Sequence, residues 1–211
     1  LIVVLTMLFS AISFGCCIMY AVRFYKNLFT DEGYITWTLP ASPLTQLWAK
    51  ILSASIWYVL DLTICFAAAW FLISGDNIQS ALERIKPDFQ AALGMSFSSF
   101  CGLVVFFSFV GILSCVLFIY TSIAIGQLVP AHRIIVSIAV YFILNLITQI
   151  ISIGVSIITS VFPDYVFSPA QTSFSEYFFQ MLLIGTCTTT VLAIAGYFIT
   201  YRILQRKVNL I

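Results

Sequence analysis

The sequence predicts an all-α integral membrane protein, a polytopic helical bundle. Three observations predict it: 62% of the 211 residues are apolar, only 8% are charged, and the mean hydropathy is +1.09. Soluble domains are about 45–50% apolar and about 25% charged. The apolar residues form long continuous runs, which excludes the alternating pattern of outer-membrane barrel strands. The composition also excludes a disordered chain and a basic nucleic-acid-binding domain, so no nucleic acid is expected as a partner.

Five apolar runs are long enough to cross the hydrocarbon layer, which takes about 20 mostly apolar residues. Backbone groups in lipid must be hydrogen-bonded within their own segment, so each run is predicted to be a helix. The whole chain, residues 1–211, is then a single transmembrane domain. Its predicted spans cover residues 1–22, 47–73, 97–125, 134–162 and 178–201.

The distribution of Lys and Arg orients these spans. If successive connections alternate between the two sides, Arg84 and Lys86 lie on one side and seven cations lie on the other. The seven are Arg23, Lys26, Lys50, Arg133, Arg202, Arg206 and Lys207. Cytoplasmic loops carry the excess of Lys and Arg, so the side with seven cations, including the C-terminus, is predicted to be cytoplasmic.

The first span begins without Met and without a charged flank. We therefore expect a further apolar helix upstream of Leu1, which would give six transmembrane helices in the complete protein.

The predicted outer segment, residues 75–96, carries Ile78, Leu82 and Ile85 at helical spacing opposite charged residues. This pattern predicts a short helix that lies at the outer membrane interface, with an ordinary connecting loop as the alternative. Pro87 is expected to interrupt that helix because proline has no N–H to donate.

The predicted cytoplasmic segment over residues 27–45 has an unusual composition. Two acids, Asp31 and Glu32, precede Gly33, and an aromatic and apolar stretch follows. Such side chains must lie on the membrane interface or pack against a partner, because they are unfavourable in water. At the end of the segment, Ser42 followed by Pro43 predicts an N-cap and the first residue of the next helix.

This segment carries a resemblance to a known family. Its sequence Arg23-Phe-Tyr-Lys-Asn-Leu-Phe-Thr-Asp31-Glu32-Gly33-Tyr34, followed by Thr38-Leu39-Pro40 and Ser42-Pro43, resembles ABC-2-type transporter permeases, especially the small permeases of Gram-positive bacteria. The resemblance implies a coupling helix that docks on a separate ATP-binding cassette (ABC) ATPase. The docking residues predicted in it are Asp31, Glu32, Gly33, Tyr34, Trp37, Leu39 and Pro40.

The sequence contains no Walker A motif, so ATP and Mg²⁺ are expected on the partner ATPase and no cofactor on this chain. The resemblance implies a permease subunit of an ATP-driven exporter in the bacterial plasma membrane. Its partners would be ABC ATPase subunits, the lipid bilayer and a second permease subunit, either identical or similar. The cargo would be apolar or amphipathic, with peptides as one option.

The alternative function is an integral-membrane sensor or self-immunity protein without transport activity. An enzyme is not expected, and neither a catalytic nor a metal site is predicted. Intramembrane hydrolysis needs partner groups at depth, whereas only one Asp lies well inside a span and the sole His lies in a connection.

Three polar residues inside the spans are candidates for the translocation path or for contacts between helices. Asp61 is expensive to place in lipid, so it is a functional candidate, with a hydrogen bond to Ser or Thr of a neighbouring helix as the structural alternative. Asn145 and Gln149 lie one helical turn apart and therefore on the same side of their helix. Both are interpreted as contacts between helices or as part of the path.

Overall fold

The structure, a computed structural model, describes residues 2–30, 32–33, 38, 40–73, 76–161 and 174–206. Six long helices account for most of these residues, and no strand occurs among them. The helices are α1 (Ile2–Phe29), α2 (Pro43–Ile73), α3 (Asp76–Leu93), α4 (Phe97–Gly126), α5 (Arg133–Ile158) and α6 (Phe174–Arg206). The predicted all-α class is confirmed.

Four helices in the described part of the chain are long and apolar enough to cross a membrane. These spans are Pro43–Ala68, Phe97–Gly126, Arg133–Ile158 and Phe174–Gln205. They expose large apolar side chains, among them Phe142 at 67% and Ile158 at 84%. Because extensive exposed apolar surface is unfavourable in water, the chain is a multi-pass membrane protein. Helix α1 is not among the four, so the number of five spans is not confirmed and stays a prediction.

The helices form two compact units. The first comprises Leu1–Leu62, Ile112–Asn145 and Leu192–Ile211, and the second comprises Thr63–Gly111 and Leu146–Val191. By sequence, seven of the nine Lys and Arg belong to the first unit, with three of the eight Asp and Glu. The first unit therefore contains every cation that the sequence analysis assigned to the cytoplasmic side.

The core of the first unit lies where α1, α2 and α4 pack together. Phe24, Leu47 and Val116 are almost completely buried there. The ring of Phe24 stacks on that of Tyr120, with centroids 3.8 Å apart and planes 10° apart. The Tyr120 hydroxyl donates a hydrogen bond to the backbone oxygen of Lys50 over 3.1 Å. Aromatic contacts of this kind add to the stabilisation from burial, so they tie the three helices together.

A small residue lets α4 and α6 approach closely within the first unit. Gly196 on α6 faces Thr121 on α4, and a Cβ added at Gly196 would lie only 2.6 Å from Thr121 Oγ1. Thr200, one turn further along α6, donates a hydrogen bond to the same oxygen over 3.1 Å. Small residues and hydroxyl groups between helices are the usual means of tight packing in lipid.

The start of α2 follows the sequence prediction. The helix begins at Pro43, and the backbone N–H of Thr45 donates to Ser42 Oγ over 3.2 Å. Ser42 is therefore the N-cap and Pro43 the first helical residue, and this prediction is confirmed.

Helix α1 extends further than the predicted span, which ends at residue 22. It continues to Phe29, so the first residues of the predicted coupling segment are helical. Hydropathy marks only the part of a helix that suits lipid, whereas the backbone hydrogen bonds continue into the polar flank. The Thr30 hydroxyl donates to the backbone oxygen of Lys26 over 2.6 Å, which satisfies one of the carbonyl groups left at the helix end.

In the second unit, α3 covers Asp76–Leu93 without a break. The expectation that Pro87 interrupts this helix is therefore wrong. The missing proline N–H removes one intrahelical hydrogen bond, but tertiary contacts hold the following turn. The ring of Phe89 packs edge-on against Phe97 and Phe100, with centroids 5.6 and 5.2 Å away. The helix ends before Gly94, whose φ of +64° is the left-handed conformation common after a helix.

Candidate functional site

The connector, defined as residues 30–42 between α1 and α2, holds the predicted docking residues. Glu32 and Gly33 lie in a helical turn, where the Gly33 N–H donates to the backbone oxygen of Thr30 over 2.7 Å. Gly33 is buried, whereas Glu32 and Pro40 are exposed. Asp31, Tyr34, Trp37 and Leu39 lie outside the described residues. The structure thus describes three of the seven predicted docking residues.

One side chain joins the connector to both flanking helices. With its amide nitrogen turned towards Glu32, Asn27 at the end of α1 donates to Glu32 Oε2 over 3.0 Å. Its amide oxygen accepts a hydrogen bond from Lys50 Nζ on α2 over 2.9 Å. Hydrogen bonds to charged groups are stronger than neutral ones, so Asn27 links the connector, α1 and α2.

Sequence reasoning placed Asn27 inside the coupling segment but gave it no role. Asn27 lies one helical turn after Arg23 and one helical turn before Asp31. Nothing in this spacing indicates that one of its partners is Lys50, 23 residues further along the sequence. The contact depends on how α1 and α2 pack, which hydropathy and spacing along the sequence do not encode.

Asp61, the acid predicted to lie deep in a span, contacts α1. The Ser13 hydroxyl donates a hydrogen bond to Asp61 Oδ2 over 3.2 Å, and the side chain of Asp61 is half-buried. A carboxylate in an apolar environment needs such a donor, because leaving it unpaired costs free energy. The structural alternative of the sequence analysis, a hydrogen bond to Ser or Thr of a neighbouring helix, is therefore present.

Further polar groups lie one helical turn away from Ser13 and Asp61. We call the whole set the polar ladder, defined as Ser13, Cys17, Tyr58, Asp61, Cys115, Tyr141 and Asn145. Cys17 Sγ lies 3.0 Å from the Tyr58 hydroxyl, between α1 and α2. Cys115 on α4 interacts with the side chains of Cys17, Tyr58 and Tyr141. The ladder therefore links α1, α2, α4 and α5 inside the first unit.

Asn145 ends the ladder on α5. Its amide nitrogen donates to the backbone oxygen of Tyr141 over 2.8 Å, and its side chain also contacts that of Tyr141. Gln149 is exposed and belongs to the second unit. The structure therefore brings Asp61 and Asn145 into one set of contacts and does not bring Gln149 into it.

Among the described residues, no group of three or more His, Cys, Asp or Glu side chains is arranged to hold a metal ion. Thiol, phenol, hydroxyl and amide groups instead hydrogen-bond one another, which is how polar side chains join helices in lipid.

Threonine hydroxyls can line a water-filled path, and a run of four threonines lies on α6. Their hydroxyls donate to backbone oxygens of the preceding turn: Thr186 to Leu182 and Thr188 to Ile184, each over 2.8 Å. Thr189 and Thr190 do the same over 2.6 and 2.7 Å. Because the helix itself satisfies these groups, the run needs no water around it.

The chain was compared with protein-family models, with characterised proteins and with solved structures, and no match was found.

Proposed function

We propose that the chain is the membrane-spanning permease subunit of an ATP-driven ABC exporter for an apolar or amphipathic cargo. A separate ABC ATPase would bind and hydrolyse ATP with Mg²⁺. The observation that carries the proposal is the link through Asn27, because it connects the predicted docking segment to two helices at once.

The mechanism follows from this link. An ATPase that grips Tyr34, Trp37 and Leu39 moves the connector when ATP closes the ATPase dimer. The hydrogen bonds of Asn27 to Glu32 and Lys50 transmit this displacement to α1 and α2. The helices then shift between inward-open and outward-open arrangements, a two-state equilibrium that nucleotide binding biases.

The rest of the assembly follows from the same proposal. A second copy of the chain, or a similar one, completes the translocation path. Two ATPases bind on the cytoplasmic side, where the C-terminus also lies. The exposed apolar faces of the four spans supply the surface for lipid and for that second subunit. The location is the bacterial plasma membrane.

The test uses charge substitutions in the connector. The tagged chain is co-expressed with the ABC ATPase encoded nearest to its own gene, purified in detergent and reconstituted for ATP turnover. Tyr34→Glu combined with Leu39→Glu should weaken association about thirtyfold or more, the effect of losing a binding hot spot worth about 2 kcal/mol. Insertion of the helices should be unchanged.

The matched control places two charges elsewhere. Gln90→Glu with Ala91→Glu changes two exposed positions of α3 and should leave association and turnover intact. If the connector variant binds and stimulates the ATPase like the control, the docking assignment is wrong. A chain that purifies alone and never affects ATP turnover instead supports the sensor or self-immunity function.

A further inference from the structure

A cavity of about 300 Å³ opens in the first unit beside the start of α2. Its walls come from α1, α2 and one ring of α4. The lining includes Arg23, Asn27, Lys50, Ser53, Trp57 and Tyr120. Ligand sites in proteins begin at about this volume, so the cavity is large enough for a small polar group.

The charged side chains that line the cavity are all basic. Its lining residues include two cations, Arg23 and Lys50, and no acid. The two cations are close enough to repel each other electrostatically. Lys50 is partly compensated through Asn27 and Glu32. With Arg23 beside it, the lining of the cavity still has an excess of positive charge. Like charges held together in this way favour an anionic ligand between them.

The donor groups suit a phosphate. Arg23 offers a planar guanidinium that can bind two oxygens, and Lys50 offers a point charge. Ser53 adds a hydroxyl one turn along α2 from Lys50. Arg and Lys with additional neutral donors form the usual binding set for phosphate oxygens.

The wall of the cavity beyond the two cations is aromatic and reaches the exposed surface of the helices. Trp57 lies two turns beyond Lys50 on α2 and is 51% exposed. Tryptophan favours the membrane interface, where its apolar ring contacts the glycerol and upper acyl region of lipids. Cations at one end and an exposed indole at the other match the order of groups in a phospholipid, from phosphate to acyl chain.

We propose that this cavity binds the phosphate of an anionic phospholipid from the leaflet on the Arg23 side, with the acyl chains against Trp57. Basic pockets between transmembrane helices on the cytoplasmic side commonly bind acidic headgroups. A soluble phosphate would use the same two cations but would gain nothing from Trp57. Asn27 and Lys50 belong both to this cavity and to the link proposed for ATPase coupling. Lipid binding is therefore measured on the chain without an ATPase, so that this inference can fail or succeed whatever the outcome for transport.

The test measures lipid binding to the whole purified chain. Native mass spectrometry counts bound lipid in micelles containing phosphatidylglycerol or phosphatidylcholine, and thermal unfolding is followed in parallel. Phosphatidylglycerol should bind to a saturable site and raise the unfolding temperature, because ligand binding to the folded state stabilises it. Phosphatidylcholine at the same concentration should do neither.

Two single variants test the cations. Arg23→Gln and Lys50→Gln should each weaken phosphatidylglycerol binding about fivefold, the worth of one cation beside an anionic lipid. The controls Arg84→Gln and Lys86→Gln remove the same charge from exposed positions of α3 and should bind like the unchanged protein. Equal losses in all four variants would overturn the assignment, because they would show a general charge effect.

A third variant keeps both cations. Ser53→Leu fills the cavity from an exposed position of α2 and should abolish saturable phosphatidylglycerol binding. Inorganic phosphate and glycerol 3-phosphate are the soluble probes. If they protect the protein as well as phosphatidylglycerol does, or if Ser53→Leu binds the lipid normally, the lipid site is contradicted.

Discussion

The hydroxyl of Ser13 on α1 donates a hydrogen bond to Oδ2 of Asp61 on α2 over 3.2 Å. This bond joins the acid predicted to lie deepest in the membrane to the helix that leads into the connector. A second polar contact between α1 and α2 joins Cys17 and Tyr58.

The first prediction concerns this bond. A double-mutant cycle of Ser13→Ala and Asp61→Leu, measured by thermal unfolding in detergent, should give a coupling of about 0.6 kcal/mol, the average for hydrogen bonds between transmembrane helices. Asp61→Asn keeps an acceptor oxygen and should retain the coupling with Ser13. A coupling of zero would show that the bond does not contribute to stability.

The same variant separates the two candidate roles of Asp61 in the proposed transport. If Asp61 acts through its hydrogen bond, Asp61→Asn should transport nearly as well as the unchanged chain, because the amide accepts the same donor. Loss of transport in a folded Asp61→Asn protein would contradict this role and indicate a carboxylate that exchanges protons.

The second prediction concerns the close approach of α4 and α6. Gly196→Ala should destabilise the protein by about 1–3 kcal/mol, the usual cost of overpacking a tight contact. The added Cβ would meet Thr121 Oγ1 at 2.6 Å. Combining it with Thr121→Ala removes that oxygen and should recover part of the loss. The measurement is the unfolding midpoint in detergent.

The matched control is Gly154→Ala on α5, where nothing lies within 4 Å of the added Cβ. It should be neutral or slightly stabilising, because alanine favours a helix more than glycine does. Equal effects of Gly154→Ala and Gly196→Ala would contradict the close contact.

The third prediction concerns the connector. Asn27→Ala removes the bonds to Glu32 and Lys50, a loss of about 1–2 kcal/mol. Amide hydrogen exchange of residues 30–33 should then accelerate about 5–30-fold, as a change of that size implies. Lys26→Ala, an exposed neighbour on α1, is the control and should leave exchange at Gly33 unchanged. Identical protection in both variants would show that Asn27 does not hold the connector.

The fourth prediction concerns sidedness. Thr38 in the connector and Glu83 on α3 are both exposed in the structure. A membrane-impermeant maleimide should label Thr38→Cys only in inverted vesicles and Glu83→Cys only in intact cells, with the unchanged chain as background. Labelling of both from the same side would contradict the orientation derived from the positive charges.

Sequence alone predicted the all-α membrane class and the start of α2. Both depend on local chemistry: the apolar composition of the runs, and Ser42 and Pro43 at a helix start. The continuation of α1 to Phe29 was not predicted, because hydropathy falls at the lipid boundary although nothing stops the helix there. The predicted interruption of α3 at Pro87 was wrong because the contacts of Phe89 outweigh the one hydrogen bond that proline removes.

The candidate site was predictable only in part. Asp61 was identified as an unusual acid in lipid, but its partner Ser13 is 48 residues away in the sequence. Cys17 and Cys115 were not among the residues singled out from the sequence, yet both belong to the polar ladder. These contacts arise from the rotation and depth of packed helices, and a single sequence gives no measure of either.

The most direct test of the proposed coupling is a cross-link from the connector. A photoreactive benzoylphenylalanine placed at Thr38, an exposed position of this segment, is activated in living cells and its products are identified by mass spectrometry. Our proposal predicts a covalent adduct with an ABC ATPase, which disappears when Tyr34 and Leu39 are both changed to Glu. Adducts with lipid alone, or with a protein outside the cytoplasm, would contradict it.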